Sequence, residues 1–174
     1  NKILLIITGS IAASRCKEII PLLNNKEVNI SCILTKEAKK YVKKSDVKKL
    51  LKDRIFTDED EKKNKMLHIN LSRDNDIIVM CPATANSIAK FANGYGDNLA
   101  SNTLLASNKK ILFVPAMNSF MWHNKINQKN VRLLKDSGHE FIGPKVGNLK
   151  CGEFGLGRID NSKNIVNRIL SRLE

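Results

Sequence analysis

Five short apolar runs, separated by stretches of helical periodicity, limit what this chain can fold into more than any other feature. They are "KILLIIT" (2–8), "VNISCILT" (28–35), "DIIVMC" (76–81), "KKILFVPA" (109–116) and "HEFIGP" (139–144). Each is rich in Ile, Val, Leu or Phe and bounded by Gly, Pro, Asn or Asp, the pattern of strands covered on both faces of a parallel sheet. Between them "SIAASRCKEIIPLLNN", residues 36–52, "ATANSIAKFANG" with "DNLASNTLLAS", and "NQKNVRLLKDSG" read as helices, and "SKNIVNRILSRLE" follows the last strand. This alternation predicts one domain over residues 1–174 of three-layer α/β class, Rossmann-like (flavodoxin-like), with an open parallel sheet, helices on both faces and right-handed crossovers. A chain of 174 residues can bury a core without metals or disulfides to hold it.

Open parallel sheets collect ligands beyond the carboxyl ends of their strands. In this chain that rim carries Thr8-Gly9-Ser10, Thr35, "CPATANS", "PAMNSFMW" and "GPKVGNLKCGEFGLGR", so every candidate for chemistry falls on one edge. "TGSIAAS" opens a helix directly after a strand, and its small residues let backbone N–H groups approach an anion such as phosphate. It matches neither GxGxxG nor the Walker pattern, and Ser10 reads equally well as an ordinary N-cap. "PATANS" repeats the device. Pro82 ends the strand, and Thr84, Asn86 and Ser87 offer hydroxyl and amide groups suited to a planar heterocycle.

The formal charge of +13 invites a nucleic-acid reading. The lysines, however, lie along amphipathic helical surface, as in "TKEAKKYVKKSDVKKLLKD", and are not interleaved with aromatics. The charge therefore reads as compositional, with a general pull on anionic ligands and no nucleic-acid partner. Cys16, Cys32, Cys81 and Cys151 show no CxxC spacing, which predicts neither a metal site nor a disulfide framework. The opening "NKILLIITG" is strand-like and too short to span a bilayer, so a cytoplasmic protein with no membrane association is expected.

Among single residues, His68 in "MLHINLSRDND" is the candidate proton handler, by its position upstream of the rim. His123 and His139 read as structural or exposed. Cys151 sits in a Gly-rich segment that reads as a mobile flap, whereas Cys16 and Cys32 fall in a helix and a strand and look buried.

Taken in order and spacing, "GSIAAS", "LHINL", "PATANS", "GYGDNLASNTLLA", "PAMNSFMW" and "GNLKCGEFGLGR" resemble the flavin-dependent cysteine decarboxylase family across the whole chain. The resemblance implies noncovalent FMN, with Gly9, Ser10 and Ile11 at the first phosphate-side turn, Thr35 after the second strand, and Thr84, Ala85, Asn86 and Ser87 at the third. It further implies that Asn118 grips a substrate carboxylate and that Met117, Met121 and Trp122 form an apolar wall beside the flavin. Cys151, with Gly152 beside it, would meet the substrate and deliver a proton, and His68 would assist the oxidative decarboxylation. The flap is most similar to the coenzyme A branch of the family, which converts 4'-phospho-N-pantothenoylcysteine to 4'-phosphopantetheine. Alternatives within reach are a peptidyl-cysteine decarboxylase of lantibiotic maturation, a flavin-binding regulatory protein and a flavin prenyltransferase. Retention of His68, Asn118 and Cys151 favours a catalyst. A homo-oligomer, trimeric or dodecameric, is implied by the same resemblance. Three positions depart from the family pattern: Lys150 before the flap cysteine, where it could lower the thiol pKa, Ile159 after "GR", and Asn98 in "DNLAS".

Overall fold

The computed structural model describes residues 1–149 and 151–174. The reading of Lys150 as a neighbour that tunes the thiol lies outside them. Six parallel strands form the central sheet: β1 (Lys2–Ile7), β2 (Asn29–Leu34), β3 (Ile55–Phe56), β4 (Ile77–Ala83), β5 (Ile111–Pro115) and β6 (Glu140–Phe141). Their order is β3-β2-β1-β4-β5-β6. The five strands expected from sequence thus lie in the order second, first, third, fourth, fifth, which is the flavodoxin-like arrangement, and β3 adds an outer edge. β3 is only two residues long, too short for any periodicity to announce it.

The strands alternate their side chains between two helical layers. Ile3, Leu5 and Ile7 of β1 pack with one layer made by α1 (Cys16–Asn24), α2 (Lys44–Leu51) and α9 (Ser162–Leu170). Leu4 and Ile6 face the other, made by α4 (Leu67–Arg73), α5 (Ala85–Ala92), α6 (Leu99–Leu105) and α8 (Lys125–Asp136). All five side chains are buried, and at roughly 1.5–3 kcal/mol for each such burial a one-residue slip of register would be ruinous. That is why continuous apolar runs, without alternation, mark these strands.

Three local expectations change. Residues 36–52 do not form one helix. A 3₁₀ turn at Ala38–Lys40 precedes α2, because the Thr35 hydroxyl accepts the Ala38 N–H at 3.2 Å and starts a tight turn directly after β2. β4 does not stop at Pro82 but runs to Ala83, through an irregularity in its pairing with β5 between Met80 and Ala83. The Thr8 hydroxyl donates to the Pro82 carbonyl and ties the ends of β1 and β4 together. These two central strands flank the point where the chain turns outward in opposite directions.

The segment read as a mobile Gly-rich flap is a two-stranded antiparallel ribbon, β7 (Lys145–Asn148) with β8 (Phe154–Arg158). β8 rests on the loop after β5: the Met117 N–H donates to the Gly157 carbonyl at 3.0 Å. Glycine is required at the contact. A Cβ on Gly157 would lie 2.2 Å from the Met117 carbonyl oxygen, and its φ of +147° disfavours other residues. α3 (Asp58–Lys63), starting in a capping box at Thr57 and Asp60, completes the elements together with α7 (Ser119–His123).

Candidate active site

Two cavities of about 540 Å³ each open on the carboxyl rim, one on either side of the turn that leaves β1. Both have the volume of a small-molecule site.

Gly9, Thr35, Thr84, Asn86 and Ser87 line the first, with Lys36, Lys90 and Asn98 beside them and Met80, Phe91 and Leu104 as its apolar contribution. Thr84 caps α5: its Oγ1 accepts the Ser87 N–H at 3.1 Å and lies 2.8 Å from the Ser87 hydroxyl. The N-terminus of an eight-residue helix therefore meets the cavity with donors facing outward. Thr35 can meet a ligand only as an acceptor. Its hydroxyl donates to the Ile7 carbonyl at 3.1 Å while accepting from Ala38, so its proton is already spent on joining β2 to β1. Gly9 is dictated by packing, since a Cβ there would stand 2.4 Å from Cβ of Glu37. Hydroxyls, amides and helix-end N–H groups along one part, with a thioether and an aromatic along another, suit a phosphorylated planar heterocycle.

Ser10, Ile11, Asn118 and Cys151 meet in the second cavity, joined by Arg15, Met117, Leu149, Gly157 and Arg158. Asn118 and Cys151 lie 33 positions apart in sequence, and the docking of β8 on Met117 brings them together. Asn118 is the N-cap of α7, and its Oδ1 accepts the Met121 N–H at 2.8 Å. Only the oxygen can accept from an N–H, so the cap also fixes which way the amide faces and leaves the NH₂ group for a ligand. The Cys151 thiol is exposed. The other three cysteines are buried and free, and burial pushes the Cys16 thiol up to about 11 and Cys81 up to about 12, with Cys32 raised further by the same cause. Three thiols are thereby inert and one is available.

Several expected residues stand elsewhere. His68, in α4, lines neither cavity. Its Nδ1 lies 2.6 Å from Oε1 of Glu61, within ion-pair distance but outside hydrogen-bond geometry. Ala85, Met121 and Gly152 also line neither cavity. Trp122, expected in the apolar wall, lines neither cavity. It is buried against the α4–α6–α8 layer, where it joins Phe113 and Val131 in the core, because its place in α7 turns it inward. His139 is structural as expected: its Nδ1 accepts the Ile111 N–H at 3.2 Å, and its ring meets Phe91 and Phe113. Lys90 and Asp97, paired at 2.9 Å on the rim of the first cavity, were not singled out from sequence. The helical period offered the signal, since Lys90 falls one turn after Asn86 and Ser87. Among the described residues no three His, Cys, Asp or Glu side chains gather as a metal site, and no helix is long and apolar enough to cross a membrane.

Comparison with known proteins agrees with this geometry. The sequence family described as Flavoprotein matches residues 1–174. The chain is 31% identical over 177 residues to a protein of Streptococcus mutans named "probable phosphopantothenoylcysteine decarboxylase", covering 99% of both. It is 33% identical over 168 residues to the coenzyme A biosynthesis bifunctional protein CoaBC of Bacillus subtilis, covering 95% of this chain but 41% of that longer protein. Among solved structures, a PPC decarboxylase mutant complexed with pantothenoylaminoethenethiol superposes with a TM-score of 0.87 at 28% identity, covering 98% of this chain and 96% of that one. The FMN-dependent cysteine decarboxylase SpaF superposes with a TM-score of 0.83 at 26% identity, covering 99% and 97%.

Proposed function

The chain belongs to the flavoprotein family, and from that premise we propose that residues 1–174 act as one unit catalysing FMN-dependent decarboxylation of 4'-phospho-N-pantothenoylcysteine to 4'-phosphopantetheine, a step of coenzyme A biosynthesis. The observation that carries this reading is the meeting of Asn118 and Cys151 in one cavity beside Ser10 and Ile11. A carboxylate-binding amide and an accessible thiol, supplied by separate loops, are what a cysteine-derived acid needs at its two reacting carbons.

The first cavity would hold FMN through Gly9, the α5 start at Thr84–Ser87, and Asn98. When bound, FMN supplies a two-electron acceptor that later returns the pair, so the overall reaction is redox-neutral. Asn118 does the rest of the binding at the reacting end. Its NH₂ donates to the carboxylate, and because the amide is neutral it holds that group without the charge pairing that would oppose loss of CO₂. Cys151 holds a proton on Sγ at the other side of the cavity and gives it to the substrate carbon as the saturated thiol product forms. Met117, Leu149 and Ile159 add apolar lining beside these groups.

Of the three residues expected to carry the chemistry, His68 is the one that lines neither cavity. The sequence resemblance implies a homo-oligomer, and the position of His68 away from both cavities supports one in which His68 of one copy completes the site of another. The ligand of this site is a small molecule, and free cysteines are suited to the cytoplasm. Neither nucleic acid nor a membrane figures in this reading.

Incubating FMN-loaded protein with 4'-phospho-N-pantothenoylcysteine should release CO₂ and form 4'-phosphopantetheine, and a peptide ending in cysteine should be turned over far more slowly. A folded, flavin-loaded sample that is inert toward the first and active on the second would move the assignment to peptidyl-cysteine decarboxylation.

A further inference from the structure

Asn118 can act only if the loop that carries it is held still, and the structure shows what holds it. Asn127, near the start of α8, is 7% exposed. Its Nδ2 donates to the Met121 carbonyl at 3.0 Å and to the Met117 sulfur at 3.3 Å. Those two residues bracket Asn118: Met117 precedes it, and Met121 is the residue whose N–H its side chain caps. The neighbouring Gln128 reinforces α7 by donating to the Trp122 carbonyl at 2.5 Å, but it does not reach Met117. The other end of the Asn127 amide is left without a partner, since Oδ1 is buried and accepts nothing.

A buried, unmatched carbonyl oxygen costs stability, typically 1–3 kcal/mol. A leucine at this site would fill space without that cost, so a core role alone is a poor reason for asparagine here. What asparagine adds is one NH₂ group that joins the residue before Asn118 to the first turn of α7.

We propose that Asn127 is a positioning residue for the decarboxylase reading given above, fixing the Met117–Met121 segment at the start of α7 so that the Asn118 NH₂ faces the substrate carboxylate. It touches neither substrate nor cofactor. Its contribution is therefore felt only by ligands that carry the carboxylate. The substrate has that group and the product has lost it, which separates a positioning role from general support of the cavity.

The test compares FMN-loaded wild type with Asn127→Leu. KM for 4'-phospho-N-pantothenoylcysteine should rise about tenfold, the loss expected when one hydrogen bond to a charged group is misaligned, while the inhibition constant of 4'-phosphopantetheine stays within about twofold. Hydrogen exchange provides a readout independent of activity: the Met121 amide, released from its cap, should exchange about tenfold faster in the variant. If Asn127→Leu does not fold, Asn127→Ala removes the same donor without added bulk and is measured in its place. Equal weakening of substrate and product, or unchanged exchange at Met121, would overturn the proposal. Inactivity of the wild type would instead count against the decarboxylase reading, and the exchange experiment would still decide whether Asn127 sets the cap.

Discussion

Replacing Gly157 by alanine puts the smallest possible obstacle between the ribbon that carries Cys151 and the loop that carries Asn118. The added Cβ would sit 2.2 Å from the Met117 carbonyl oxygen and 3.2 Å from the Asn118 carbonyl carbon, whereas real Cβ contacts essentially never fall under 3.0 Å. β8 must therefore retreat by at least about 0.8 Å, the difference between those limits, and it must do so at a backbone angle that costs about 1–3 kcal/mol for a residue with a side chain. The Met117–Gly157 hydrogen bond at 3.0 Å is lost or stretched in the process, worth about 1 kcal/mol. The ribbon is not part of the six-stranded sheet, so strain of this size is relieved by lifting it and leaves the core intact. Displacements near 1 Å in a reacting assembly cost about 100-fold in rate. Gly157→Ala should accordingly reduce kcat/KM for 4'-phospho-N-pantothenoylcysteine by about 10- to 100-fold while Tm falls by no more than roughly 4–16 °C. Steady-state kinetics and thermal melting on the FMN-loaded protein decide it. A variant within twofold of wild-type kcat/KM would show that docking of β8 on Met117 does not set the site, and a collapse of Tm would show that the ribbon supports the whole fold.

Four further outcomes follow from the same geometry. Asn118→Asp keeps an oxygen to cap Met121, so Tm should hold within a few degrees, but its charge repels the carboxylate and activity should fall by about 100-fold or more; retained activity would remove Asn118 from carboxylate binding. With burial raising the thiols of Cys16, Cys32 and Cys81, brief treatment of folded protein with iodoacetamide at mildly alkaline pH should give one adduct by mass spectrometry, at Cys151, and adducts on the other three would contradict their burial. If His68 completes the site of a second copy, co-assembly of His68→Asn with Cys151→Ser should restore activity that neither variant has alone, because mixed oligomers regain some intact sites; no recovery in verified mixed oligomers would return both residues to one chain. Burial lowers the His139 pKa below its usual 6.5, and Nδ1 accepts from Ile111 only when unprotonated. The unfolded chain then binds a proton first as pH falls, so stability is full above about 6.5 and is lost progressively as pH drops through the lowered folded value. Urea denaturation of His139→Gln should show less of this loss than wild type between pH 7.5 and 5.5.

The fold was largely legible because burial on both faces writes itself directly into composition. Residues 3–7 are an unbroken apolar run for the same reason that each of them is buried. What escaped was short or held by long-range contacts. β3 spans two residues, and the β7–β8 ribbon looked like a loose loop because its glycines serve close approach to Met117 and Ser119, partners that no local pattern names. At the site, Asn118 and Cys151 are legible through family motifs, and the structure places them in one cavity. "MNSFMW" does not say which side of a five-residue helix faces the core, and the structure turns Trp122 inward. Asn127 carries no signal in the sequence, one amide in an asparagine-rich chain, and only the reach of its NH₂ to Met117 and Met121 distinguishes it.

In the proposed reaction, one chain brings the Asn118 amide and the Cys151 thiol to the same substrate. The most direct measurement is the stoichiometry of the reaction under limiting 4'-phospho-N-pantothenoylcysteine, with CO₂, oxygen and the thiol product followed together. One CO₂ released for each saturated thiol formed, with no oxygen consumed, is the predicted result. Flavin-loaded protein that releases no CO₂, or releases it only while consuming oxygen, would contradict the account.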